Sequence, residues 1–363
     1  MSKSSIHISS GNRFGFGDWL TMSQPTVIYS VNENINADIA KLSPSTKWIY
    51  RYQTDEFNRL PDGFFQGDPV ANCRHWMTEI KDSHGRTLVQ NWSLNNADWF
   101  DPLNEPVADI PAKAQWLNTW MLVALDIASS LGFRLALFSF ATGSPPLEMW
   151  QYLVPAMQKA KTLGGILSLH AYWESDPSQD KDNALRYRQV YDILPESARL
   201  PIVISEASSG NGYATSYSGQ EWVNDMAAYD TELMKDPYVL SACGFQLGGD
   251  ESNMLSALNA YAVYIESHPT PEVEMRGSPR VQYERTVNVY PASATKERVA
   301  AIAVEAFLRS RESVTGSYDD GGIGDLDVRY VNLYDIPLLD QPRFADFYKT
   351  YYPGVIVNFL PKT

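Results

Sequence analysis

The chain has only two cysteines, Cys73 and Cys243, and five histidines among its 363 residues. Two cysteines outside any CxxC spacing exclude a disulfide framework and a thiolate zinc site, and are expected to be free, buried thiols. The histidines, at positions 7, 75, 84, 170 and 268, form neither HxH nor HExxH. A metal-dependent hydrolase needs such clusters at strand ends, so no metal is expected, and no cofactor. Positive charge is also scarce: 29 Lys and Arg face 43 Asp and Glu, for a formal charge of -14. With no basic run to reverse that locally, nucleic acid and anionic membrane surfaces are not expected partners. No stretch reaches the roughly 18 consecutive apolar residues of a membrane helix, and the first ten residues lack an apolar signal core. A cytoplasmic protein is the expectation, although a removed signal peptide or release by lysis would leave the same sequence. The glycine-rich motifs GxGxxG and GxxxxGK[ST] and the GxSxG of serine hydrolases are absent, as are internal repeats. The sequence carries no mark of an oligomeric state.

Aromatic residues are plentiful, at 12% with 10 Trp and 21 Tyr. Such a supply suits sugar binding, but large cores use it too. Between residues 4 and 266, short β-rich runs alternate with longer amphipathic stretches, eight times over. The strands are expected at 5–9, 26–31, 46–52, 97–103, 134–140, 165–170, 201–205 and 240–247. After the fourth, residues 112–131 place Trp116, Trp120, Val123, Ala124 and Ile127 at helical spacing, and Gly132 ends the run. Strands separated by helices run parallel, and eight such units in about 260 residues fit a closed (β/α)8 TIM barrel. A doubly wound open sheet would normally announce itself by a glycine-rich first turn, so the barrel, spanning 1–268, is favoured. Residues 269–284 read as a proline- and charge-rich linker, and 285–363 as a small α+β domain. Its strands at 286–290, 313–318, 328–333 and 355–359, with helices at 296–310 and 343–352, give the order βαββαβ, a ferredoxin-like pattern. The segment from Asp319 to Asp327 invites a calcium reading, but its spacing is not that of an EF-hand and Gly and Asp are what turns select.

In a barrel the chemistry gathers at the C-terminal ends of the strands. There the fourth strand runs into Asn104-Glu105-Pro106 and the seventh into Ser205-Glu206-Ala207. Two carboxyl groups flanking one bond are what glycoside hydrolysis requires. The plain alternative is a pair of strand-end carboxylates bonding to loops.

Asn104-Glu105-Pro106, His170-Ala171-Tyr172 and Ile204-Ser205-Glu206, on strands 4, 6 and 7, resemble the clan A glycoside hydrolases, the 4/7 superfamily. The resemblance covers the barrel and rests on these three motifs. It implies that Glu105 is the general acid/base, with a raised pKa, and Glu206 the ionised nucleophile of a retaining reaction on a β-linked oligo- or polysaccharide. It implies too that Asn104 donates to the sugar 2-hydroxyl, that Tyr172 orients Glu206, and that His170 braces the network or reaches the sugar. His170 could otherwise be a satisfied wall histidine. Arg51, at the end of strand 3, is expected either to hold a carboxylate or to form a structural ion pair, since the clan more often carries an arginine near strand 2. Strand 8 has Phe245 where the clan usually presents a tryptophan, so Phe245 or another ring is expected to serve the central subsite. Trp173 is the expected sugar platform; Trp99, Tyr213 and Tyr217 are lesser candidates, Trp99 facing the core as readily. The competing function is a barrel that binds carbohydrate without cleaving it. A further alternative gives the working role to the C-terminal unit.

Overall fold

The computed structural model describes residues 2–268, except 10–12, 59, 61–62, 175, 211–218 and 249–253, and beyond them 285–290, 313–317, 328–335, 341–342, 344–345 and 356–360. The chain divides into two compact units near Met275 and Arg276. In the first, eight parallel strands follow one another: Ser4–Ile8 (β1), Val27–Val31 (β2), Lys47–Arg51 (β3), Trp99–Asp101 (β4), Ala136–Phe140 (β5), Ile166–Trp173 (β6), Ile202–Ser209 (β7) and Val239–Leu247 (β8). Their order is β4-β3-β2-β1-β8-β7-β6-β5, and a parallel bridge between Phe100 and Leu135 joins the two ends. The result is a (β/α)8 barrel, as the alternation predicts. The helix Pro111–Ser130 stands where the spacing puts it, with Trp120 and Ala124 buried. Both cysteines are free and buried. No described helix is long and apolar enough to cross a membrane.

Most strands are buried along their whole length, because a barrel covers one face with helices and fills the other with its own side chains. Val27, Ile49, Trp99, Ala136, Ile166 and Val203 form an apolar plug inside. Two residues further along β2–β7 stand Tyr29, Arg51, Asp101, Ser168 and Ser205, with Ser139 from β5, all buried. Side chains on a strand alternate faces, so this polar layer lies directly above the plug, towards the C-terminal mouth. It is tied together by hydrogen bonds: Ser139 and Tyr29 donate to Asp101 (the latter at 2.6 Å), and the Ser139, Ser168 and Ser205 hydroxyls form a chain at 2.8 and 2.7 Å. Buried hydroxyls and carboxylates are tolerated only when paired in this way.

The second unit carries four strands, Arg285–Tyr290 (β9), Ser313–Ser317 (β10), Val328–Tyr334 (β11) and Ile356–Leu360 (β12). Their positions agree with the sequence, but the ferredoxin-like assignment is corrected. That fold has an antiparallel sheet, whereas here every pairing is parallel, in the order β10-β9-β11-β12. This is the order of a doubly wound sheet. Element order does not fix strand direction: β10 and β11 follow one another in the chain yet lie on opposite sides of β9. Residues 344–345 are helical. The rest of the expected helix at 343–352, the expected helix at 296–310, the linker 269–284 and the Asp319–Asp327 segment lie outside the described residues.

Candidate active site

Two irregularities in the strands place the two glutamates. Along β7, simple alternation would put Val203 and Ser205 inside the barrel and Glu206 outside. The register against β6 shifts by one, however: Leu169 pairs with Ile204, but His170 pairs with Glu206. The extra residue is a β-bulge, which re-aims the chain so that Ser205 and Glu206 both face inward. On β5 a second shift falls between Phe138 and Phe140, with Phe138 and Ser139 at φ 76° and 43°. The Ser139 carbonyl freed there accepts the backbone N–H of Glu105 at 3.0 Å. Glu105 itself adopts φ 48°, a conformation uncommon outside glycine, and is held in it just beyond the short strand β4.

Glu105, His170 and Glu206 each bring one donor atom into a group no wider than 4.8 Å. His170 Nδ1 is 2.8 Å from Glu105 Oε1 and 3.4 Å from Glu206 Oε2. That nitrogen faces both carboxyl groups, and the spacing is that of hydrogen bonds rather than of ligands about an ion. One nitrogen and two carboxylates could ligate a divalent cation, but a guanidinium already supplies the counter-charge. Arg51 Nη2 lies 3.3 Å from Glu206 Oε1, and its other terminal nitrogen donates to the side-chain oxygen of Asn104. With that oxygen engaged, Asn104 presents its NH2 group as a donor with no partner among the described residues. Tyr172 donates to Glu206 Oε2 at 2.6 Å.

The two carboxyl groups sit in different environments. The Glu206 side chain is 8% exposed and that of Glu105 41%. Burial alone would raise the Glu206 pKa, but His170, Arg51 and His7 and the Tyr172 hydrogen bond together pull it down to about 2. Glu206 is therefore a carboxylate throughout the neutral and mildly acidic range. Its surroundings hold their own protons: burial and Glu206 push the Tyr172 phenol far up, and Tyr29, Glu206 and Asp101 outweigh burial to keep Arg51 charged.

Of the residues singled out from sequence, the structure brings Glu105, Glu206, Asn104, His170, Tyr172 and Arg51 into one bonded cluster. Phe245 stands against it, edge-on to Tyr172 at 5.9 Å and to His7 at 4.9 Å, and is joined to Gln246 by a cis peptide. Trp173 is not part of it. On β6, His170 and Tyr172 share the inner face, so Trp173 points outward, 1% exposed and packed on Tyr229 at 4.5 Å. The platform expectation for Trp173 is corrected on this geometry. Trp173→Ala is expected to cost about 3–5 kcal/mol of stability, the usual loss for a buried tryptophan, and to leave KM unchanged. Urea unfolding and steady-state kinetics check this. Trp99 also faces the interior plug, donating to the Gly164 carbonyl at 2.9 Å. Tyr213 and Tyr217 lie outside the described residues.

Sequence reading missed the layer beneath. His7 is buried below the cluster, its Nδ1 3.1 Å from the Ser205 carbonyl and its ring 4.9 Å from Tyr29. Asp101 and Tyr29 belong to the same layer, and the Arg51 guanidinium lies 5.5 Å from the Tyr29 ring centre. Burial raises the Asp101 pKa against the pull of Arg51, Ser139 and Tyr29. The one available signal was inward parity: Tyr29, Arg51 and Asp101 each follow an apolar inward residue by two positions.

Burial lowers the His7 pKa to about 4 from 6.5, with Arg51 and His170 adding to it against Glu206. As pH falls below 6.5 the unfolded chain takes up this proton first, so His7 removes stability progressively from about 6.5 to 4. Glu206 acts in a lower window: its depressed pKa stabilises the fold above 4.5, a contribution lost as pH falls to about 2. The melting temperature is therefore expected to fall between pH 6.5 and 4 in the wild type, and less steeply in His7→Gln. Equal slopes in calorimetry would contradict this assignment.

The sequence matches no protein-family model and no curated protein. Several solved structures are similar to it. One is an endo-β-1,3-glucanase of glycoside hydrolase family 128 from Amycolatopsis mediterranei in complex with laminaritriose: TM-score 0.42, 14% identity, over 74% of this chain and all of that one. Another is the β-glucuronidase of Ruminococcus gnavus: TM-score 0.47, 10% identity, over 74% of this chain and 50% of that one. A third is CJP38, a β-1,3-glucanase and pollen allergen of Cryptomeria japonica: TM-score 0.40, 13% identity, over 69% and 93%. These are distant likenesses.

Proposed function

We propose that this chain is a retaining glycoside hydrolase acting on a β-linked oligo- or polysaccharide, with Glu206 as nucleophile and Glu105 as general acid/base. The carrying observation is that one oxygen of each carboxyl group lies within 4.8 Å of an oxygen of the other. Retaining enzymes hold theirs about 5–5.5 Å apart, and inverting enzymes leave about 6.5–9.5 Å for a water. A closest approach this short supports the retaining reading over the inverting one.

Each role follows from its surroundings. Glu206, ionised and held from both sides by Arg51 and Tyr172, is positioned to attack the anomeric carbon. Glu105, the more exposed, protonates the departing glycosidic oxygen and then, as a carboxylate, takes a proton from the water that releases the sugar. His170 bridges the pair, donating through Nδ1 to whichever carboxylate is ionised. The NH2 group of Asn104 suits a sugar 2-hydroxyl, a bond that strengthens as charge develops at the anomeric carbon. Phe245, partly exposed beside Tyr172, is a described ring placed to meet a pyranose face.

The test is hydrolysis of a panel of β-linked glucans and aryl β-glycosides, followed by proton NMR of the first-formed anomer. A β-product supports the reading. An α-product, or binding without any turnover across the panel, overturns it in favour of an inverting enzyme or of the carbohydrate-binding alternative.

A further inference from the structure

The peptide that joins Ser205 to Glu206 is tied from across the barrel. Its carbonyl lies 3.1 Å from His7 Nδ1, and His7 belongs to β1, which is separated from β7 by β8. No ladder bond spans that interval, so the contact is made through the interior by a side chain. The carbonyl sits where the ladder is broken: against β6 the register shifts between Leu169 and His170, and against β8 the three steps from Ile204 to Ala207 face the two from Ala242 to Gly244. A buried backbone carbonyl needs a donor and can itself only accept, so the imidazole proton resides on Nδ1. One proton is all the ring holds near neutrality, because burial brings its pKa down to about 4. The ring is 1% exposed and packs against Tyr29 and Phe245, each with its centre 4.9 Å away, which leaves it little freedom to turn. Peptide units are planar, so fixing the direction of the Ser205 carbonyl fixes the plane that carries the nitrogen and Cα of Glu206, and with it the direction of the Glu206 side chain.

We propose that His7 is a positioning residue for Glu206: donating Nδ1–H to the Ser205 carbonyl, it pins the bulge that turns the glutamate into the barrel. Arg51 and Tyr172 hold the carboxylate at its tip and His7 holds the backbone behind it, so the side chain is fixed at both ends. A bulge re-aims a side chain, and beside reacting groups the aim must be held, since a displacement of about 1 Å can cost about 100-fold in rate. The bond stands on its own geometry; that the carboxylate it aims is a nucleophile rests on the reaction proposed above.

Two measurements need no turnover. Side-chain 15N spectra of the wild type near neutral pH are expected to show His7 protonated at Nδ1 with a lone pair on Nε2; the opposite tautomer overturns the bond. In crystals of His7→Leu, the Ser205 carbonyl is expected to turn and Glu206 to leave at least one of its contacts with Arg51 and Tyr172; an unmoved Glu206 overturns the positioning. Kinetics then read the consequence. Asparagine and leucine branch alike at Cγ and both lack the ring, but only asparagine keeps an N–H where Nδ1 stood. His7→Asn is therefore expected to lose no more than about threefold in kcat and His7→Leu about 10- to 100-fold, with KM within about twofold in both. Equal falls in the two variants, which would trace the loss to ring packing, or no fall in either, overturn the role. Should His7→Leu not fold, His7→Met, flexible enough to fill the space and equally without a donor, takes its place in both comparisons. A wild type inactive on every glycoside, with the tautomer and the Glu206 movement as expected, overturns the reaction and leaves the bond standing.

Discussion

Glu206→Gln is expected to reduce turnover about 10⁴-fold or more, the scale on which enzymes lose rate when the nucleophile of a cooperating set is removed. By the usual conversion that is upwards of 5 kcal/mol of transition-state stabilisation. The amide removes the attacking anion and must turn its NH2 towards a donor, Arg51 or Tyr172, and Arg51 loses a charged partner 3.3 Å away in a buried site. Breaking a buried pair typically costs about 3–5 kcal/mol, so the same variant should melt earlier. The two effects are separable, because activity is read well below the melting transition and circular dichroism reports whether the chain is folded. A folded Glu206→Gln protein retaining more than a few per cent of wild-type kcat would contradict the role assigned to Glu206.

Glu105→Ala is expected to behave differently in both respects. Its side chain is 41% exposed and its only described partner is His170, so little stability should be lost. General acid/base groups typically contribute about 10²–10⁴-fold, and that loss should appear in full on unactivated saccharides. Aryl glycosides with good leaving groups depart without a proton, so their first step should be nearly spared and the second, which lacks its base, should limit the rate. A small anion such as azide, entering the space the carboxylate leaves, should then accelerate turnover and yield a β-glycosyl azide. Equal losses on all substrates with no response to azide would remove Glu105 from the acid/base role.

How much of this was legible beforehand differs from element to element. The eight strands were visible because parallel barrel strands, buried on both faces, read as short apolar runs between amphipathic stretches. Strands β6 and β7 run on past their expected ends at 170 and 205, to Trp173 and Ser209, since polar residues facing the mouth do not interrupt the ladder. The glutamates were placed by motif. The bulge that turns Glu206 inward leaves no trace in the alternation, which taken alone points it outward. Trp173 was misjudged for a related reason: proximity in sequence to His170 and Tyr172 says nothing about face, and the odd step along a strand sends the indole into the helix layer. Arg51 was found as a candidate, and its guanidinium lies 3.3 Å from Glu206 Oε1. His7, Tyr29, Asp101 and the serine chain went unread because each is an ordinary strand residue until its neighbours across the barrel are known. Strand direction in the C-terminal unit was likewise invisible to element order.

The most direct measurement is capture of the covalent intermediate. A panel of 2-deoxy-2-fluoro β-glycosides with activated leaving groups slows both steps while letting the first outpace the second. Incubation followed by peptide mass mapping is expected to place one fluorosugar on the peptide bearing Glu206, and none in Glu206→Gln. A label on a different carboxylate, or steady turnover of natural substrate through an inverted product with no labelled peptide, would contradict the account.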